Sequence, residues 1–134
     1  MSAKRESPTA IFALVAAIVV AGTLYGAWRL SVAVWIGYLG GINLAAFVLY
    51  GYDKAVAGGE TLRVPESVLQ GIAFLGGSPA AWLSQILFRH KTVKQPFQRA
   101  FRLIVAAQIL ILGLTVWVWV HPPAWLPEGL RRLF

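Results

Sequence analysis

The chain has 134 residues, 58% of them hydrophobic, and carries 12 Lys and Arg against 5 Asp and Glu, a net charge of +7. A soluble domain is about one quarter charged, whereas only 13% of this chain is, so a sizeable soluble domain is excluded. There is no cysteine, which removes disulfides, thiol catalysis and zinc–thiolate sites.

Four stretches carry no charge: residues 7–28, 30–52, 67–88 and 103–120. Each reaches the roughly 17–25 residues that cross about 30 Å of hydrocarbon. The chain therefore reads as an all-α integral membrane protein with four hydrophobic segments. Its excess of positive charge orients it in a bilayer and meets anionic phospholipid headgroups; nucleic acid is not expected among its partners.

Residues 1–8 form a short polar N-terminus, and Ser7-Pro8 marks a helix start because proline fits the first turn. The apolar run that follows is too long for a signal peptide and lacks a good cleavage site, so it is expected to remain as the first transmembrane helix. Residues 9–50 form a transmembrane helical hairpin, with Trp28, Arg29 and Trp35 at its tight connection. Gly22 with Gly26, and Gly37 with Gly41, are spaced for close helix packing. Asn43 is the one strongly polar side chain of the second helix, expected over about residues 32–50, and an amide in hydrocarbon seeks a partner on another helix.

Residues 51–103 hold nearly all the specific-looking chemistry. Tyr50 and Tyr52 stand where an aromatic belt is expected, and Asp53 and Lys54 follow at the membrane edge. Asp53 has Lys54, Arg63 and Arg89 as candidate partners. Residues 56–60 form a glycine-bearing turn, and Arg63-Val64-Pro65-Glu66 opens the next helix, with Glu66 near its positive end.

Gly76-Gly77-Ser78-Pro79 interrupts the third segment near its midpoint. Paired glycines and a proline loosen a helix there. The segment is either one kinked span or two short helices folded back as a re-entrant hairpin. Length favours the kinked span, as does a seven-residue stripe of small and polar residues at 70/71, 77/78 and 84/85 that includes Gly77. Charge favours re-entry: a full span places six cations on each side, whereas a returning segment places nine on one side and three on the other. The kinked span is the primary reading and the re-entrant form the alternative.

Arg89, His90, Lys91, Lys94, Arg99 and Arg102 make the densest basic patch, a candidate site for phosphate or lipid headgroups. Residues 104–121 close the last transmembrane helix, which runs from about residue 101. Gln108 is its one amide, and Trp117 and Trp119 stand near the far interface. His121-Pro122-Pro123 stops the helix, and residues 122–134 form an interfacial tail. His90 and His121 fall at opposite ends of this helix, so no metal site is expected, and no cofactor.

The spacing of Tyr50-Gly51-Tyr52-Asp53-Lys54, Arg63-Val64-Pro65-Glu66, Gly76-Gly77 and Arg89-His90-Lys91-Thr92-Val93-Lys94-Gln95-Pro96-Phe97 resembles a small bacterial membrane-protein family, domain of unknown function 1294. The resemblance covers roughly residues 39–103. It implies a multi-pass protein of the bacterial inner (plasma) membrane and assigns no activity. Some members carry a cold-shock domain before the membrane part; this chain departs from them, with a few polar residues and then an apolar helix, so a nucleic-acid function does not carry over. The resemblance draws attention to Asp53, Lys54, Arg63, Glu66, His90, Lys91 and Lys94.

No HExxH, GxSxG or glycine-rich phosphate loop is present. The first functional reading is a structural, accessory or interaction module, with a homo-oligomer or a membrane partner. The second is an anionic-lipid-binding or lipid-modifying protein, which requires Asp53 and His90 to meet at one membrane face. The third is a small oligomeric transporter or channel, for which Asn43, Gln70, Gln85 and Gln108 are the candidate polar path.

Overall fold

The computed structural model describes residues 7–89, 94–121, 124 and 129. Helix α1 spans Pro8–Arg29 and starts where the sequence places it: the Ser7 hydroxyl accepts from the Ala10 amide at 3.3 Å, with Pro8 at the first turn. A short connection, in which the Val32 amide donates to the Ala27 carbonyl at 2.8 Å, leads into α2, Val34–Ala55. This helix continues past Tyr50, so Asp53 and Lys54 belong to its last turn rather than following it. Close packing of α1 on α2 depends on glycine. A methyl group at Gly37 would come within 2.6 Å of the Ala27 side chain, and one at Gly41 would collide with Thr23. Gly22 and Gly26 face open space within the chain.

The third segment comprises α3, Glu66–Ile72, a π turn at Ala73–Gly77, and α4, Ser78–Phe88. The interruption stands where the sequence puts it, with Gly76 at φ 115° and ψ 0°, outside the helical region. Last comes α5, Gln95–Val120, which begins before residue 101 and takes Arg99 and Arg102 into its first turns. By length and composition, α1, α2, the whole of Glu66–Phe88, and α5 could each cross a membrane.

The contacts of the third segment reveal its course. At its start, the Val64 amide reaches Asp53 near the end of α2, and Tyr50 donates to the Leu69 carbonyl. At the interruption, Asn43 donates to the Gly76 carbonyl, and Gly77 lies against Ala46. At the far end, Phe88 packs on Phe47 with ring centroids 5.4 Å apart and lies against Gly51. The chain therefore descends along α2 from Asp53 to Asn43, about 15 Å of helix, and climbs back. The segment is thus kinked at Gly76–Pro79 as the sequence expects, and beyond the kink its second arm lies back along α2, the course given as the alternative reading. Length alone could not decide this, because two arms of a hairpin consume as many apolar residues as one crossing.

Both arms thus end beside Tyr50–Asp53, as does the start of α5, where Phe97 meets Tyr50 edge-on at 6.3 Å. Phe12 of α1 reaches Tyr52 there. The core concentrates in this half: Leu49, Tyr50, Val64, Leu69, Phe97 and Phe101 are all buried. Tyr50, expected in the interfacial belt, is fully covered. In the other half, Val34, Trp35, Ile109, Leu112 and Trp117 are exposed, a surface suited to lipid.

Candidate functional site

Non-helical backbone at membrane depth requires partners from the protein itself. The hairpin tip has them. Gln108 of α5 donates to the carbonyls of Ala73 at 2.8 Å and Phe74 at 2.9 Å. Tyr38 donates to Leu75 at 2.7 Å. Asn43 donates to Gly76 at 3.1 Å, and its oxygen accepts from the Ala80 amide at 3.0 Å. The Ser78 hydroxyl donates to the Gln108 oxygen. Four consecutive carbonyls freed by the turn are thereby satisfied. The amides of α2 and α5 hold the tip together, and they do not line a polar path.

The basic end forms a second polar layer, about 15 Å from the tip along α2. Asp53 is fully buried. Its carboxylate accepts from Arg63 Nε at 3.4 Å and Nη2 at 3.1 Å, and from the Val64 amide at 3.1 Å. This fork binds the 56–65 connection to the end of α2 and fixes where α3 begins. Glu66 forms an ion pair with Lys94, joining the start of α3 to the residue before α5. Between these pairs, Gln98 Nε2 donates to Gln85 Oε1 at 2.6 Å. Gln85 lies against the Tyr50 hydroxyl, with its own amide nitrogen outside hydrogen-bonding geometry. The Ser84 hydroxyl is buried and has no hydrogen-bond partner among the described residues.

Asp53, Lys54, Arg63, Glu66, Arg89 and Lys94 therefore come together at one end of the molecule. Lys54 and Arg89 are exposed there, Arg89 ending α4 in a left-handed conformation at φ 45°. His90 and Lys91 lie outside the described residues, as do residues 125–128 and 130–134 of the tail. Asn43, Gly77 and Gln108 serve the tip, and Gly37 and Gly41 the α1–α2 contact. No group of three His, Asp or Glu side chains is placed to hold a metal ion among the described residues.

Sequence reasoning missed Tyr38, Ser78 and Gln98. The signal for the first two was available: an interruption around Gly76-Gly77 exposes carbonyls that need donors, and Tyr38 stands five residues from Asn43 on the facing helix. Gln98 lies among charged residues, and nothing in its spacing distinguishes it.

The family model described as "Protein of unknown function (DUF1294)" matches residues 43–97. The matched region runs from the amide that caps the tip to the phenylalanine that packs on Tyr50, so it contains the hairpin and most of its basic end. An uncharacterised protein of Bacillus subtilis (strain 168), YsdA, is 32% identical over 77 residues, which cover 58% of this chain and 86% of that relative. No solved structure matches the chain.

Proposed function

The chain belongs to the DUF1294 family of bacterial multi-pass membrane proteins, and from that premise we propose that it is a non-catalytic module of the inner membrane that gathers anionic phospholipid headgroups at a basic end facing the cytoplasm. The observation that carries this reading is the return of the third segment. It places Lys54, Arg63, Arg89, Lys94, Arg99 and Arg102 toward the same end, whereas Arg29 lies at the other end of α1. Asp53 and Glu66 engage Arg63 and Lys94, and Lys54, Arg89, Arg99 and Arg102 remain as exposed cations. Cations next to a bilayer each attract anionic lipid by about 1 kcal/mol. The Asp53 carboxylate supports a structural role, because both its oxygens accept from the neighbouring loop.

The test is lipid enrichment. Protein reconstituted in mixed phosphatidylglycerol and phosphatidylethanolamine retains phosphatidylglycerol above its bulk fraction, and less so at high salt. Combined Lys54→Gln, Arg99→Gln and Arg102→Gln substitutions abolish the enrichment. Equal retention of the two lipids by the unaltered protein refutes the proposal.

A second reading, an interaction module that pairs with another membrane helix, is supported by Gly22 and Gly26. Both leave α1 open to close approach from outside the chain. Crosslinking through single cysteines near Gly22 tests it, and a purely monomeric pattern counts against it.

A further inference from the structure

We infer that the cleft between α4 and α5 is a specific site for one anionic phospholipid, with its phosphate on Arg102 and an acyl chain running down toward the hairpin tip. The inference rests on the headgroup-binding reading above and assigns it a place. The two helices meet at the basic end through the Gln98–Gln85 hydrogen bond and at the tip through Gln108 and Ser78. Between these links they part, leaving a cleft of about 910 Å³, within the roughly 300–1,000 Å³ typical of ligand sites.

The walls are Trp82 of α4 and Val105, Ala106 and Ile109 of α5, with Gln98 and Arg102 at the upper rim. The polar atoms at the bottom, on Ser78 and Gln108, are already bonded to each other and to the tip carbonyls. Below the rim, the cleft therefore offers hydrocarbon to a ligand.

Arg102 is the last charge before the uncharged run 103–120, so it sits at the boundary between headgroup and hydrocarbon. Its Nε donates to the Gln98 carbonyl one turn back, at 3.2 Å. That bond leads the guanidinium toward the basic end, the direction in which a membrane arginine snorkels. A guanidinium fixed at this level, directly above an apolar cleft open to the bilayer, matches the two parts of a phospholipid in their natural order. A free phosphate has no use for the cleft, and a zwitterionic phospholipid brings, beside its phosphate, an ammonium that the exposed cations Lys54, Arg89 and Arg99 at this end disfavour.

The test uses the full chain in nanodiscs of phosphatidylglycerol and phosphatidylethanolamine, followed by native mass spectrometry of the lipid retained on release. The unaltered protein is expected to keep one phosphatidylglycerol. Arg102→Gln removes the phosphate contact, and Ala106→Trp fills the cleft; each lowers retention about tenfold. Ala107→Trp, on the same helix but outside the cleft, retains lipid like the unaltered chain. Should Ala106→Trp fail to fold, Arg102→Gln still decides. Retention unchanged in Arg102→Gln, or lost equally in Ala107→Trp, overturns the cleft while leaving the general headgroup reading intact. An unaltered protein with no preference for phosphatidylglycerol overturns both.

Discussion

Replacing Asn43 with leucine isolates the device that lets the third segment turn back. The side chains are similar in size, so the change removes polar atoms with little change in volume. Two backbone groups then lose their partners: the Gly76 carbonyl, bonded at 3.1 Å, and the Ala80 amide, bonded at 3.0 Å. The third bond, to the Leu39 carbonyl, joins a group that already serves α2. An unsatisfied buried group costs about 1–3 kcal/mol, so the gross loss is about 2–6 kcal/mol. Polar contacts in membrane proteins measure lower, averaging about 0.6 kcal/mol, because the unfolded chain in lipid also finds partners. The expected destabilisation is about 2–3 kcal/mol, at the lower part of the range. Equilibrium refolding in mixed detergent–lipid micelles, titrated with a denaturing detergent, measures it. Gln108→Leu should act on the same tip through Ala73 and Phe74, and the double variant should cost less than the sum, since both residues hold one turn. An Asn43→Leu cost below about 0.5 kcal/mol would refute the claim that this amide secures the tip.

The native chain has no cysteine, which suits accessibility mapping. Single cysteines in the 55–62 connection and at residue 95 are expected to label from the same side of sealed vesicles, and cysteines at residues 31 and 121 from the other; opposite labelling of the first two would eliminate the returning course. Asp53→Asn is expected to cost about 1–3 kcal/mol in the same refolding assay, the value for a broken buried pair reduced because Arg63 is half exposed. Lys94→Ala, which breaks an ion pair with both side chains partly exposed, should cost less than about 1 kcal/mol, and a reversed order of the two effects would contradict the assignment of Asp53 as the anchor.

Much of this architecture is legible in the residues, for identifiable reasons. Uncharged runs locate the apolar segments because hydrocarbon penalises charge wherever the chain crosses. Ser7-Pro8 locates the start of α1 because capping is local, and Gly76 to Pro79 locates the interruption because backbone freedom is local. The direction taken after the interruption is not local. It depends on Asn43, Tyr38 and Gln108 supplying donors from distant helices, and no periodicity within residues 67–88 records that. The balance of positive charge pointed to the returning form, because the basic patch beyond Arg89 shares its side with Lys54 and Arg63 only if the chain comes back. Arg63 stands among the candidate partners of Asp53 on charge alone, and the structure pairs them. The burial of Tyr50 was not legible. A tyrosine at the end of an apolar run looks interfacial until Phe97, 47 positions later in the sequence, covers it.

The adjacent glycines at the tip allow the returning hairpin to be distinguished from a kinked span by the sign of an effect. At Gly76, with φ 115°, an added methyl group would lie 3.6 Å from Leu39 and 3.7 Å from Ile42, ordinary contacts. Space is available, so the cost of Gly76→Ala is conformational, about 1–2 kcal/mol for a side chain held in a left-handed backbone. In a continuous helix the same substitution would stabilise by about 1 kcal/mol, since alanine is the better helix former. Gly77 differs: its neighbour Ser78 is helical, but a methyl group at Gly77 would lie 2.8 Å from the Ile72 carbonyl and 3.1 Å from Ala46. Gly77→Ala is therefore expected to destabilise by overpacking, chiefly against the Ile72 carbonyl of α3 and less closely against Ala46 of α2, by about 1–3 kcal/mol. Refolding of the two alanine variants measures both effects. If Gly76→Ala stabilises the protein, Gly76 is helical in the membrane, and the returning tip is refuted whatever the second variant does.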